Sequence, residues 1–183
     1  MYLIQLNNHN LRRSNCFHIS EKLVLAINNV EYLLNKSFAV SISQKLCDQY
    51  ILDNCIAKYA LNIDIASSST YGVLKDMLQY EKKEIECDVT VLQDIFHIGI
   101  ALEMNELIDI YKKHVIDKKR LKPKNCIQFL DYYIFISADK QIERIADFIS
   151  THFSKIDEIQ FKMIAKKLMW TFFIGYLAMK NLQ

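Results

Sequence analysis

Histidine, cysteine and acidic residues are the side chains of this sequence that could support catalysis or hold a metal ion. His97 and His114 lie in apolar helical patterns, and neither has a second ligand at the spacing of a zinc site. Cys126 opens an apolar run and has no charged neighbour arranged to lower its pKa, which indicates a packed thiol rather than a nucleophile. The acids of the central segment are interpreted as helix-surface and capping residues: Asp88, Asp94, Glu103 and Glu106. These patterns predict no catalytic residue, no metal and no cofactor, and therefore a protein that is not an enzyme.

Positive charge is concentrated between Lys112 and Lys124. This segment holds seven Lys or Arg residues against one acid, Asp117, although the whole chain carries a net charge of only +2. We define the basic cluster by five residues: Lys118, Lys119, Arg120, Lys122 and Lys124. Such a cluster can bind polyanions or act as a nuclear import signal. A solvated linker is the favoured interpretation, and nucleic acid is disfavoured, because no aromatic residues are interleaved to stack bases.

The composition favours a folded, mainly helical protein. Hydrophobic residues make up 51% of the 183 residues, and only three glycines and one proline interrupt them. The five cysteines are widely spaced without a Cys-x-x-Cys pair, which indicates buried free thiols in a reducing compartment. Residues 1–20 lack the pattern of a secretion signal and are expected to be irregular. The apolar run Leu168–Met179 is shorter than the roughly 20 residues that cross a bilayer, so a buried terminal helix is favoured and a membrane partner is disfavoured.

The first half of the chain alternates between strand and helix patterns. Two β-prone runs flank Asn28-Asn29, which predicts a two-residue hairpin turn. One amphipathic helix is expected over residues 36–51, followed by a half-buried strand near Tyr59–Ile65. Serines 67–69 are candidate caps for a helix that runs to Tyr80, and a brief strand is expected at Ile85–Cys87.

The central segment predicts two helices that meet at a corner formed by Asn105 and Glu106. Gly99 lies on the apolar face of the first helix, where glycine costs roughly 1 kcal/mol relative to alanine. We therefore expect another backbone to pack closely against it. Beyond the basic segment the pattern is all helical, with Pro123 opening one helix, Ile142–Phe153 forming another and Asp157 capping a third.

Two stretches resemble a BTB/POZ domain followed by the first helices of a BACK (three-box) domain. Ile95–Leu107 is similar to the packed helix of the BTB/POZ family, and Lys122–Ile127 is similar to the Pro-x-Asn-Cys opening of BACK segments. The family's histidine is absent from Leu34-Asn35-Lys36 and its aspartate from Glu21-Lys22-Leu23, so the chain resembles the divergent versions of protist or viral proteins.

The resemblance implies an α+β class and a division into three segments. Residues 1–20 would be an irregular N-terminal segment, and residues 21–118 a BTB/POZ-like domain in which a helix cluster is flanked by a small mixed sheet. Residues 119–183 would be a partial, all-helical BACK-like segment.

The resemblance also implies a protein–protein interaction module. Members of the family self-associate, and many dock a cullin-type scaffold as ubiquitin ligase adaptors in the cytoplasm or the nucleus. The residues mapped to cullin contact are Leu74, Met77, Tyr80, Glu81, Phe129 and Tyr133. Leu74 and Met77 fit a core role equally well, and the missing histidine and aspartate leave homodimer formation open.

Two other interpretations stay open beside the adaptor. The chain could be a stand-alone structural oligomerisation or competitor domain without a ligase role. It could also be a nuclear factor that uses the basic segment 112–124.

Overall fold

The β-structure consists of a three-stranded mixed sheet and a separate two-stranded sheet. These are seen in a computed structural model that describes residues 1–5, 21–79 and 84–166. The strands are β1 (Tyr2–Gln5), β2 (Lys22–Ile27), β3 (Val30–Asn35), β4 (Lys58–Leu61) and β5 (Glu84–Cys87). Together with the helices described below they confirm the predicted α+β class. The chain divides into two units, Met1–His114 and Val115–Gln183, which are described in turn.

The three-stranded sheet is centred on β2 and has the order β3-β2-β4. β2 and β3 pair antiparallel from Lys22↔Asn35 to Ile27↔Val30, which confirms the predicted two-residue turn. Asn28 adopts the left-handed conformation at φ 52°, which asparagine tolerates better than most residues. β4 pairs parallel with β2, from Val24↔Lys58 to Ile27↔Leu61, and is shorter than the predicted strand.

The two-stranded sheet corrects the prediction for the N-terminus. Residues 1–20 were expected to be irregular, but β1 pairs antiparallel with β5, from Tyr2↔Cys87 to Gln5↔Glu84. A four-residue strand is too short to give a clear alternating pattern, and its partner is distant in sequence. Residues 6–20 lie outside the described part of the chain.

The helices of the first unit are α1 (Lys36–Ile42), α2 (Gln44–Leu52), α3 (Ser69–Gln79), α4 (Val89–Leu102) and α5 (Asn105–Tyr111). A single helix was predicted where α1 and α2 lie, so this prediction was wrong. Ser43 separates the two helices because its backbone is extended, at φ −129° and ψ 116°. Its hydroxyl caps α2 by accepting a hydrogen bond from Leu46 N at 3.1 Å.

Close packing of α4 against α5 explains the glycine on the apolar face of α4. A Cβ atom on Gly99 would lie 2.9 Å from Leu107 Cβ and 3.3 Å from the backbone nitrogen of Ile108. The predicted close approach is therefore confirmed. The corner, however, is formed by Glu103 and Met104, because Asn105 already begins α5. Glu103 caps α4 in the left-handed conformation, at φ 52° and ψ 48°.

Asp94 fixes the segment that leads into α3. Its carboxylate accepts hydrogen bonds from Ala66 N at 3.1 Å, Ser67 N at 2.9 Å and the Thr70 hydroxyl at 2.7 Å. This acid was predicted to be a helix-surface or capping residue, but it is buried within α4. It binds the backbone of the segment that precedes α3 and the hydroxyl of Thr70 at the start of α3.

The regular elements in the described residues of the second unit are all helical. After a π-helical turn at Lys112–Ile116, the elements are a 3₁₀ turn (Pro123–Asn125), α6 (Cys126–Phe135), α7 (Asp139–Thr151), a second 3₁₀ turn (Phe153–Lys155) and helical residues 158–166. Ile145, Ile149 and Ile164 are buried. Asp157 accepts a hydrogen bond from Gln160 N at 2.8 Å, which confirms the predicted cap. Phe153 was assigned to the helix before it but follows α7 and is 55% exposed.

The apolar run at Leu168–Met179 lies outside the described residues. Its burial as a terminal helix therefore remains a prediction. Within the described residues, no helix combines the length and the apolar character needed to span a bilayer.

Candidate protein-binding groove

Two of the predicted partner contacts lie in the core of the first unit. Leu74 is 0% exposed and Met77 is 1% exposed, because both point inward from α3. Neither can reach a partner in this conformation, so both are removed from the predicted contact surface. Tyr80 and Glu81 follow α3 and lie outside the described residues.

The contacts predicted from the second unit both lie on α6. Phe129 is buried and Tyr133 is half-buried, with their ring centroids 6.4 Å apart. Tyr133 also meets the ring of Tyr132 edge-on at 5.4 Å. Of this pair only Tyr133 offers substantial side-chain surface.

The basic cluster forms a loop that the side chain of Asn125 holds in place. Asn125 accepts a hydrogen bond from Lys122 N at 2.7 Å and donates one to the Arg120 carbonyl at 3.0 Å. Lys118, Arg120, Lys122 and Lys124 are exposed, as predicted for a solvated segment. Lys119 is half-buried, and burial and the nearby charge of Lys124 lower its pKa.

The cysteine and histidine side chains that were considered as catalytic or metal-binding groups pack against protein atoms in the structure. Cys126 is fully buried, its Sγ donates to the Pro123 carbonyl at 3.0 Å, and burial raises its pKa. His114 is buried, with its ring 6.4 Å from that of Tyr2, and His97 is half-buried beside Phe96. Cys55 is exposed, contrary to the expectation that the thiols are buried. In the described ranges no three His, Cys, Asp or Glu side chains are grouped to hold a metal.

A groove of about 610 Å³ lies in the first unit between the α1–α2 pair and the corner that joins α4 to α5. Its apolar lining comes from Val40, Ile42, Cys47 and Tyr50. Ser43 connects the two walls, since its hydroxyl donates to the Leu102 carbonyl at the end of α4. The backbone nitrogen of Gln44 also donates to the Glu103 carbonyl, at 3.3 Å. The groove is therefore held by the same residue that separates α1 from α2.

Lys36 is one of the residues that line this groove. Its ammonium group donates to Glu21 at 3.2 Å and to the Asn54 carbonyl at 2.6 Å, and it lies 5.4 Å from the centre of the Tyr50 ring. The lysine is buried whereas Glu21 is exposed. Burial of an ammonium is tolerated here because a carboxylate, a carbonyl and an aromatic face surround it.

Glu103, Asn105 and Glu106 line the groove from the corner between α4 and α5. Among the described residues, neither glutamate carboxylate has a hydrogen-bond or ion-pair partner. The sequence pattern indicates surface or capping acids at both positions and does not predict a groove. The corner itself was predicted, but nothing in the sequence placed α1 and α2 opposite it.

No protein-family model matches the sequence, and no curated protein matches it.

Proposed function

We propose that this chain is a protein–protein interaction adaptor with a BTB/POZ-like first unit and BACK-like helices after it. The order of elements in the first unit is the observation that carries the proposal. It runs from hairpin β2–β3 through α1 and α2 to the parallel strand β4, and then through α3 and β5 to the packed pair α4–α5. The resemblance read from Ile95–Leu107 calls for this order.

A polar pair in the first unit adds support. The resemblance expects an aspartate at the head of the first strand and a basic A-H-R motif at the start of the first long helix. Glu21 and Lys36 occupy these neighbourhoods, and their side chains are bonded at 3.2 Å. The charges are thus paired although both residue types differ from those of the family.

The Pro-x-Asn-Cys junction supports the proposed BACK-like segment. Pro123 begins a 3₁₀ turn, Asn125 holds the preceding loop and Cys126 begins α6 with a buried thiol. Each residue of the motif has a distinct structural role, which agrees with a segment built to start a helical unit.

The proposed partner is a cullin-type scaffold, bound in the cytoplasm or the nucleus. With Leu74 and Met77 in the core, the proposed contacts are Tyr80 and Glu81 in the first unit and, independently, Tyr133 in the second unit. A large half-buried aromatic is a suitable anchor for an interface.

The test is a pull-down of a purified cullin N-terminal domain by the full chain. We expect capture by the wild type and a loss of about tenfold or more in affinity for Tyr80→Ala combined with Glu81→Lys, because two central contacts are removed. The matched control combines Tyr59→Ala with Asp64→Lys, which makes the same chemical changes near β4. Equal loss in both double variants would contradict the mapped interface, and no capture by the wild type would contradict the cullin-docking role.

A further inference from the structure

The groove between α1–α2 and the α4–α5 corner has an unequal charge balance. Four of its lining residues are acidic or basic: Glu21, Lys36, Glu103 and Glu106. The charge of Lys36 is met by Glu21. Glu103 and Glu106 remain without a countercharge among the described residues, so the charged lining has a net negative charge.

The uncharged part of the lining combines apolar and polar side chains: Val40, Ile42, Cys47 and Tyr50 lie among Ser37, Ser41, Gln44 and Asn105. Ile42 is almost fully buried, Val40 and Cys47 are half-buried, and Tyr50 presents part of its ring. Next to Tyr50 in the chain, Ile51 and Leu52 are 73% and 80% exposed. Apolar surface bordered by charge is the usual composition of a protein-binding patch rather than of a solvated helix end.

We propose that this groove binds a basic, amphipathic segment of a partner protein. The apolar side of that segment would cover Val40, Cys47 and Tyr50, and its lysine or arginine side chains would meet Glu103 and Glu106. Charge complementarity selects this occupant, since an acidic segment would be repelled by the two unpaired carboxylates. The inference rests on the proposed adaptor function and gives it a client-binding surface made of residues other than Tyr80, Glu81 and Tyr133.

The probe is a synthetic amphipathic helix made only of leucine and lysine, labelled for fluorescence anisotropy with the full chain. We expect saturable binding that weakens as salt rises from about 50 to 200 mM, because exposed charges are screened over this range. Replacing Glu103→Lys together with Glu106→Lys should weaken binding by about tenfold or more. Glu103→Gln together with Glu106→Gln removes both negative charges and nearly keeps the side-chain shape. This double variant should also bind the peptide more weakly than the wild type.

Two controls distinguish the groove from general charge attraction. Asp64→Lys combined with Asp109→Lys makes the same change of net charge at two exposed acids that do not line the groove, and it should leave binding within about twofold. A leucine–glutamate version of the peptide should bind the Glu103→Lys, Glu106→Lys variant better than it binds the wild type. Equal weakening by the groove and control variants, or no binding by the wild type, would overturn the proposal.

Two further readouts complete the test. If light scattering shows that the wild type self-associates and that Glu103→Lys with Glu106→Lys makes it a monomer, a second copy is the occupant and the proposal is overturned. Cullin pull-down on the same proteins tests the two surfaces separately. We expect the groove variants to retain cullin and the Tyr80→Ala, Glu81→Lys variant to retain the peptide, so failure of one binding activity leaves the other measurable.

Discussion

Asn125 shows how one polar side chain can organise a charged loop. It is buried, and its amide makes one accepting and one donating hydrogen bond to the backbone of Lys122 and Arg120. Without them, a loop that carries several positive charges would lose its connection to the start of α6. The asparagine therefore fixes where the basic side chains are presented.

We expect Asn125→Ala to lower the free energy of unfolding by about 1–3 kcal/mol, because it removes both hydrogen bonds that the buried Asn125 side chain makes to the loop backbone. Chemical denaturation followed by circular dichroism measures this change. Asn125→Asp keeps the acceptor for Lys122 N and loses the donor to Arg120, so it should cost less at neutral pH. Asn62→Ala at an exposed position is the control, and an equal effect there would contradict the role of Asn125.

The surroundings of individual side chains were the least predictable feature of the candidate site. Asp94 and Glu103 are both acids in or next to one apolar helix, and pattern alone assigned both to surface or capping roles. In the structure Asp94 is buried and binds a distant helix start, whereas Glu103 lines the groove with a left-handed backbone. The difference arises from neighbours far away in sequence, which periodicity does not report.

The close packing of α4 against α5 requires that position 99 has no side chain. Gly99→Ala would place a Cβ atom 2.9 Å from Leu107 Cβ, which is closer than real Cβ contacts allow. We expect the variant to lose about 1–3 kcal/mol of stability, because overpacking outweighs the better helix propensity of alanine. Thermal and chemical denaturation measure the loss.

Gly72 on α3 is the matched control for this prediction. A Cβ atom there would have no neighbour within 4 Å. Gly72→Ala should therefore stabilise the protein by roughly 0.5–1 kcal/mol through helix propensity alone. If both alanine variants changed stability in the same direction, close packing at Gly99 would not be the cause.

The break between α1 and α2 shows why an element boundary was missed. Phe38, Ile42, Leu46 and Tyr50 are four residues apart, which is a continuous helical pattern. Ser43 nevertheless leaves the helix because its hydroxyl can bond both Leu46 N and the Leu102 carbonyl. A tertiary hydrogen bond therefore overrides local periodicity, and the groove depends on this change of direction.

At the scale of the whole molecule, two buried thiols can report on the two units. Cys87 lies in the first unit, where burial and then the charge of Asp88 raise its pKa to about 11. Cys126 lies in the second, where burial raises its pKa. Both are thiols rather than thiolates at pH 8 because the raised pKa favours the protonated form, and thiolate is the reactive species.

We expect a thiol reagent at pH 8 to label exposed Cys55 first, and Cys87 and Cys126 only when their units open. Gly99→Ala should speed labelling of Cys87 more than of Cys126, because Gly99 and Cys87 both lie in the first unit. Asn125→Ala should speed labelling of Cys126 more, because both of these residues lie in the second unit. Peptide mass spectrometry assigns the label to each cysteine. Fast labelling of either buried thiol in the wild type would contradict its burial.

Much of the architecture was predictable because strong local signals mark it. The hairpin at Asn28, the glycine of α4 and the helix start after Pro123 each follow from the intrinsic conformational preferences of one or two residues. β1 and the groove were not predictable, since each is created by contacts between segments that lie far apart in the chain. The structure divides the chain after His114, whereas the change in composition led us to place the division after residue 118, in the basic segment.

The two neighbours of β2 imply an order of folding. β3 reaches β2 through a two-residue turn, whereas β4 must return across residues 36–57, which include α1 and α2. Closing a short hairpin takes microseconds, and pairing distant segments carries a larger entropic barrier. The antiparallel edge of the sheet should therefore assemble early, and the parallel edge should wait until both intervening helices have docked.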